Sequence, residues 1–223
     1  ILFFVVGVGV GLINGFSIAY LGMPSFLVTL ATMMMARGMV LTLSGGKSYC
    51  DLPSFYRFIG SGSIGPIPAI IVIVLLTFLG GHLVLSKTVF GRRVYAAGSN
   101  PDAAQVSGIN VKRIVMATLV LNGAFAALSS LVLTSRLNSF APSMGTGYEF
   151  SAIASVIIGG TSLYGGEGRI VGTLIGALII GVVNNALNLL GVSPLFQEVA
   201  RGGIIFLAVL IDSVRSRYAA AID

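Results

Sequence analysis

The first 36 residues carry no Lys, Arg, Asp or Glu. A soluble domain needs charge at short intervals to cover its surface, whereas a bilayer core takes about 20 consecutive, mostly apolar helical residues per crossing. This run is long enough for one crossing and much of a second, and YLGMPSF (20–26) supplies the Gly-Pro break between them. The pattern recurs. Residues 67–86 and 114–135 are free of those four residue types, and 150–166, 170–190 and roughly 196–211 follow, the first of these short and broken by glycine. The expectation is an all-α integral membrane protein, a polytopic helical bundle with about seven crossings. A glycine-, serine- and proline-rich exposed loop is expected over 44–66.

Composition agrees: 56% of residues are hydrophobic, 9% are charged, and the mean hydropathy is +1.00. The net charge of +6 is spread between apolar runs and not gathered in one patch with aromatics, so no nucleic-acid partner is expected. Cys50 is alone and His82 is the single histidine, which leaves no material for an intrachain disulfide or a cysteine or histidine metal site. The seven acids are widely scattered, and no catalytic constellation is visible. The chain begins at Ile1 inside an apolar run and reads as a fragment of a longer protein, with earlier helices expected ahead of it.

Basic residues assign the sides of the membrane. With 87–112 cytoplasmic, alternation also places 167–169 and the C-terminal tail inside. That side then collects Lys87, Arg92, Arg93, Lys112, Arg113, Arg169, Arg215 and Arg217, eight of the thirteen basic residues. The outer side receives Lys47, Arg57, Arg136 and Arg201, with Arg37 near the outer end of the second helix.

The cytoplasmic segment 87–112 is longer than a connection requires. Within it SNPDAAQVSG reads as a short helix. Asn100 can cap it, Pro101 suits its first position, Asp102 faces the positive dipole end, and Gly108 stops it. One reading is an interfacial helix resting on lipid headgroups. The stretch from Ala103 and Ala104 to Val106 and Ser107 is small and weakly apolar, a poor membrane anchor and a better fit for a groove on another protein.

In the membrane, Gly7, Gly11 and Gly15 are spaced four apart, as are Gly172 and Gly176; such small-residue faces let helix backbones pack closely. Asn14, Asn184 and Asn188 are polar at membrane depth. The two later amides either bond neighbouring helices, the preferred reading, or line a wet path. Arg37, Ser151 and Ser155 are further candidates for such a path, although Arg37 can equally snorkel outward. Glu149 either touches an external partner protein or, the preferred reading, caps the start of the fifth helix. GGTSLYGGEGR (159–169) lacks the lysine of a phosphate-gripping loop, because Gly165 is followed by Gly166 and Glu167. The chain is not expected to bind or hydrolyse ATP, and the glycines are expected to make a tight cytoplasmic turn.

Several separated blocks resemble the membrane permease subunits of bacterial ribose-type sugar ABC importers. They are INGFSIAYLGMPSFLVTLATMMMARGMVLTLSGG (13–46), FGRRVYAAGSNPDAAQVSGINVKR (90–113), and the run from GTGYEFSAIASVIIGG through GVVNNALNLLGVSP (145–194). The resemblance implies a single transmembrane permease domain over 1–223 in the bacterial cell (inner) membrane. It implies Asn100 to Gly108 as the coupling helix that docks on a cytoplasmic ABC ATPase subunit, with ATP and Mg held by that partner. It further implies an extracytoplasmic sugar-binding protein, a second permease copy as a homodimer, surrounding lipid, and import of a pentose or hexose. A sister permease for branched-chain amino acids or nucleosides is the nearest alternative. An ATPase-independent secondary transporter ranks behind, since it calls for intramembrane carboxylates that the sequence lacks.

Overall fold

With no water at membrane depth, an apolar segment must satisfy its backbone polar groups internally, and helix formation does so. The computed structural model describes residues 1–220. Its elements run α1 (Leu2–Ala19), α2 (Ser25–Ser44), β1 (Tyr49–Cys50), α3 (Ser54–Ser61), β2 (Ser63–Ile64), β3 (Ile67–Pro68) and α4 (Ala69–Lys87). They continue with α5 (Val89–Ser99), α6 (Pro101–Val106), α7 (Val111–Leu137), β4 (Ser139–Phe140), α8 (Tyr148–Ile158), α9 (Ile170–Leu189) and α10 (Pro194–Ala220). Among the described residues α1, α2, α4, α7 and α9 are long and apolar enough to cross a bilayer, and α8 is a shorter apolar helix. The fold is the all-α, polytopic one that the apolar runs predict.

Three segments differ in detail from the sequence expectation. The fifth segment stops at Ile158 instead of continuing to Gly166. Gly160, Gly165 and Gly166 have φ of +81°, +94° and +76°, left-handed values that end a right-handed helix. The loop 44–66 contains α3 and two-residue strands. The segment 87–112 holds an additional 11-residue helix, α5, ahead of the expected short one.

The chain divides into two compact units, one comprising Ile1–Thr77 and Pro101–Gly145, the other Phe78–Asn100 and the chain from Thr146 on. In the first, α1 packs antiparallel on α7. The contact depends on missing side chains. A Cβ added to Gly11 would lie 2.7 Å from the Leu119 carbonyl oxygen, and one on Gly7 would collide with the Gly123 carbonyl and approach Ala127 Cβ to 2.8 Å. At one end of α7, Lys112 Nζ stands 6.0 Å from the Tyr20 ring. At the other end β1 pairs antiparallel with β4, with Cys50 opposite Ser139. There Ser135 Oγ accepts from the Gly60 N–H at 2.7 Å and donates to the Tyr56 carbonyl. Tyr56 and Thr134 share a hydroxyl hydrogen bond, and Asn138 Oδ1 accepts from the Leu52 N–H at 3.1 Å. Ser135 is fully buried, so the segment 49–61 is fastened to the end of α7 by polar groups that need these partners.

In the second unit α8 packs on α9 and α10. Gly172 and Gly176 lie against the carbonyls of Gly159 and Ser155, where any Cβ would collide. The spacing of four seen in the sequence thus serves close backbone approach in both units.

Candidate functional site

The helix expected to couple follows directly on α5. Asn100 closes α5 in an extended conformation, its N–H bonded to the Ala96 carbonyl. Pro101 then starts α6, where its missing N–H costs nothing, and Asp102 sits in the first turn. The exit is a Schellman turn. Gly108 has φ of +81°; its N–H donates to Gln105, and the Ile109 N–H donates to Ala104, each at 3.0 Å. Asn110 immediately caps the next helix, its Oδ1 accepting from the Arg113 N–H at 3.0 Å. A six-residue helix is too short to hold itself, so these terminal devices fix its shape.

They also fix which face it shows. Ala104 is buried, whereas Pro101, Asp102, Ala103, Gln105 and Ser107 are exposed. Val106 is 91% exposed, an apolar side chain displayed on a helix held rigid at both ends. Ser107 Oγ turns back to the Ala103 carbonyl at 2.9 Å.

In the second unit α5 lies against the glycine loop 159–169. Thr88 caps α5 by accepting from the Gly91 N–H at 3.2 Å, and the Tyr95 hydroxyl donates to the Gly168 carbonyl at 2.8 Å. Gly98 approaches the loop so closely that an added Cβ would lie 2.8 Å from the Gly166 nitrogen. This contact puts the basic segment and the loop carrying Arg169 side by side, as the positive-inside map requires.

Other polar candidates cluster on α8, α9 and α10. Asn184 Oδ1 accepts from Arg201 Nε at 3.2 Å, and Asn188 Oδ1 accepts from Gln197 Nε2 at 3.0 Å. Arg201 also pairs with Glu198 at 2.9 Å. Ser151, Asn184 and Arg201 line a small cavity of roughly 10 Å³, about the space of one water. Ser155 is buried and its hydroxyl donates to the Ser151 carbonyl at 2.7 Å. Glu149 lies half-buried in the first turn of α8. Arg37 is exposed on α2, and Asn14 is buried in the other unit, its Oδ1 without a hydrogen-bond partner among the described residues. Among those residues no three His, Cys, Asp or Glu side chains converge as metal ligands do.

The family model described as "Branched-chain amino acid transport system / permease component" matches residues 1–209. The chain belongs to this family. It is therefore a multi-pass protein of the bacterial cell (inner) membrane. It is 47% identical to the ribose import permease protein of Bacillus subtilis strain 168 over 205 residues, 91% of this chain and 64% of that protein. It is 41% identical to the D-allose transport system permease protein of Escherichia coli K12, over 95% of this chain and 65% of the relative. Identity is 39% with the L-arabinose transport system permease protein of the same strain, over 92% of this chain and 62% of the relative. The chain thus spans a little under two thirds of the length of these curated relatives. No solved structure matches it.

Sequence reasoning missed Gln197 and Arg201 as the partners of the α9 amides, although both are polar and follow within 17 positions. Their signal was present. Gln197 and Glu198 each stand about one turn before Arg201 in an otherwise apolar region, a pattern that suits a polar seam between helices.

Proposed function

We propose that this chain, acting as one transmembrane permease domain over 1–223, is the translocation subunit of an ATP-driven importer of a monosaccharide, a ribose-type pentose or a hexose. The observation that carries the reading is that the ribose, D-allose and L-arabinose permease relatives each cover more than nine tenths of this chain. ATP hydrolysis, with ATP and Mg, belongs in this reading to a cytoplasmic ABC ATPase subunit. α6 is its docking helix, offering Val106 and the small surface around Ala103 to a groove on the ATPase. Burying one Val contributes roughly 1.5 kcal/mol or more, and the terminal caps of α6 pass the partner's movement into α7. An extracytoplasmic sugar-binding protein delivers substrate at the outer face, with Glu149 at the contact. A second copy completes a homodimer within the surrounding lipid. Ser151, Ser155, Asn184 and Asn188, with Asn14 and Arg37, are the candidates for the path.

The family description favours one second reading, a sister permease for branched-chain amino acids. Ligand selectivity of the cognate binding protein separates the two. The docking role is tested by binding-protein-stimulated ATP hydrolysis of the full-length complex in liposomes, comparing wild type with Val106→Asp. The side chain is exposed, so the permease should stay folded while stimulation falls about tenfold or more, the equivalent of about 1.4 kcal/mol of docking. Unchanged stimulation would sink the docking assignment.

A further inference from the structure

The second unit contains a cavity of about 710 Å³ at the Lys87 end of α4, within the size range of a small-molecule or headgroup site. His82 and Ser86 of α4, Tyr95 of α5, Gly168 and Arg169 of the glycine loop, and Val171 of α9 line it. The polar side chains supply one permanent cation and hydrogen-bonding groups. Arg169 carries a permanent positive charge, Ser86 Oγ lies 3.4 Å from His82 Nδ1, and no carboxylate is among the lining residues. The Tyr95 hydroxyl is committed to the Gly168 carbonyl, so it holds the wall in place. Lys87, Arg92 and Arg93 are exposed on the adjoining α4 and α5, adding positive potential around the opening.

The walls are as informative as the polar floor. Leu79 and Leu83 alternate with His82 and Ser86 at i, i+3, i+4 and i+7 on α4, and both leucines are about half exposed. On α9, Val171, Ile175 and Leu178 repeat at helical spacing and are at least half exposed. The two helices approach at Gly81, where an added Cβ would stand 3.7 Å from Ile170 Cδ1. A floor with one arginine and neighbouring exposed basic residues, set between two apolar stripes, suits an amphiphile with a negative head, while a soluble anion would gain nothing from the stripes. Basic pockets between membrane helices on the cytoplasmic side take anionic headgroups in this way.

We propose that this cavity binds the phosphate headgroup of an anionic phospholipid of the cytoplasmic leaflet, with the acyl chains along the exposed stripes of α4 and α9. The inference is independent of which solute the permease carries. The test is native mass spectrometry of the full-length permease released from vesicles of phosphatidylcholine mixed with phosphatidylglycerol. Phosphatidylglycerol should be retained preferentially. Arg169→Gln combined with His82→Leu should lower its retention by about fivefold or more, Arg169→Lys should keep it, and Lys47→Gln should leave it unchanged. Should the double variant not fold, Arg169→Glu alone, at an exposed loop position, makes the same test. Soluble glycerol phosphate at matched concentration should not displace the lipid. Equal retention of phosphatidylcholine, retention unaltered in a folded Arg169 variant, or displacement by glycerol phosphate would each overturn the assignment, the last by making the site one for a soluble phosphate.

Discussion

Among single residues, the sharpest contrast lies between two glycines on α1. Gly7 is in backbone contact with Gly123 across the α1–α7 interface, whereas a Cβ at Gly9 would meet nothing within 4 Å. Gly7→Leu must therefore push the helices apart, at a cost on the order of 2 kcal/mol or more, as overpacking of tight contacts does. Gly9→Leu should stay within about 0.5 kcal/mol of wild type, as surface substitutions do. Thermal unfolding of the full-length permease in detergent should show a lowered midpoint for the first variant and an unchanged one for the second. Equal midpoints would mean that α1 and α7 do not pack as described. The glycine spacing was legible in the sequence because an i, i+4 repeat of Gly leaves few physical uses besides close approach. Gly7, Gly11 and Gly15, the glycines that this spacing singles out, are the ones that meet α7; which helix they meet was not legible, since α7 is remote from them in the sequence.

At the scale of elements, α6 shows what sequence can and cannot specify. Pro101, Asp102 and Gly108 are terminal signals with a local physical cause, and the helix falls between them. Gly108 at φ +81° has a stricter requirement than the rest. A β-branched side chain there is strained by roughly 1–2 kcal/mol, while Asn tolerates the left-handed region better. Gly108→Val should loosen the Schellman turn and weaken ATPase stimulation in the reconstituted complex; Gly108→Asn should retain most of it. If Val behaves like Asn, the rigid exit of α6 has no part in coupling. α5 escaped the sequence reading for a complementary reason. Its 11 residues include Gly91 and Gly98, poor helix formers, and it is held by Tyr95 on Gly168 and by close approach to a loop about 70 positions away. No local pattern announces a partner at that distance. The same holds for the β1–β4 ladder, which joins two loops nearly 90 positions apart.

For the whole molecule, the first unit alone carries a topology that can be measured. α7 is 27 residues long, about 40 Å at the helical rise, which exceeds the hydrocarbon core of a bilayer. Lys112 with Tyr20 marks one end. Ser135 and Asn138, bonded to the segment that follows Cys50, mark the other. Cys50 pairs with Ser139 beyond that second end and is exposed, while Ser107 precedes Lys112 at the first and is exposed too. The two positions must therefore face opposite sides of the membrane, and the basic residues at the α6 end predict that this side is the cytoplasmic one. In a full-length permease whose other cysteines are replaced, an impermeant maleimide added to intact spheroplasts should label Cys50, because its thiol is free and exposed. With Cys50→Ser and Ser107→Cys, labelling should appear only after the membrane is opened. Labelling of both from outside would contradict the span of α7. Reversed labelling would preserve the fold but invert its orientation, which would place α6 beyond the reach of a cytoplasmic ATPase.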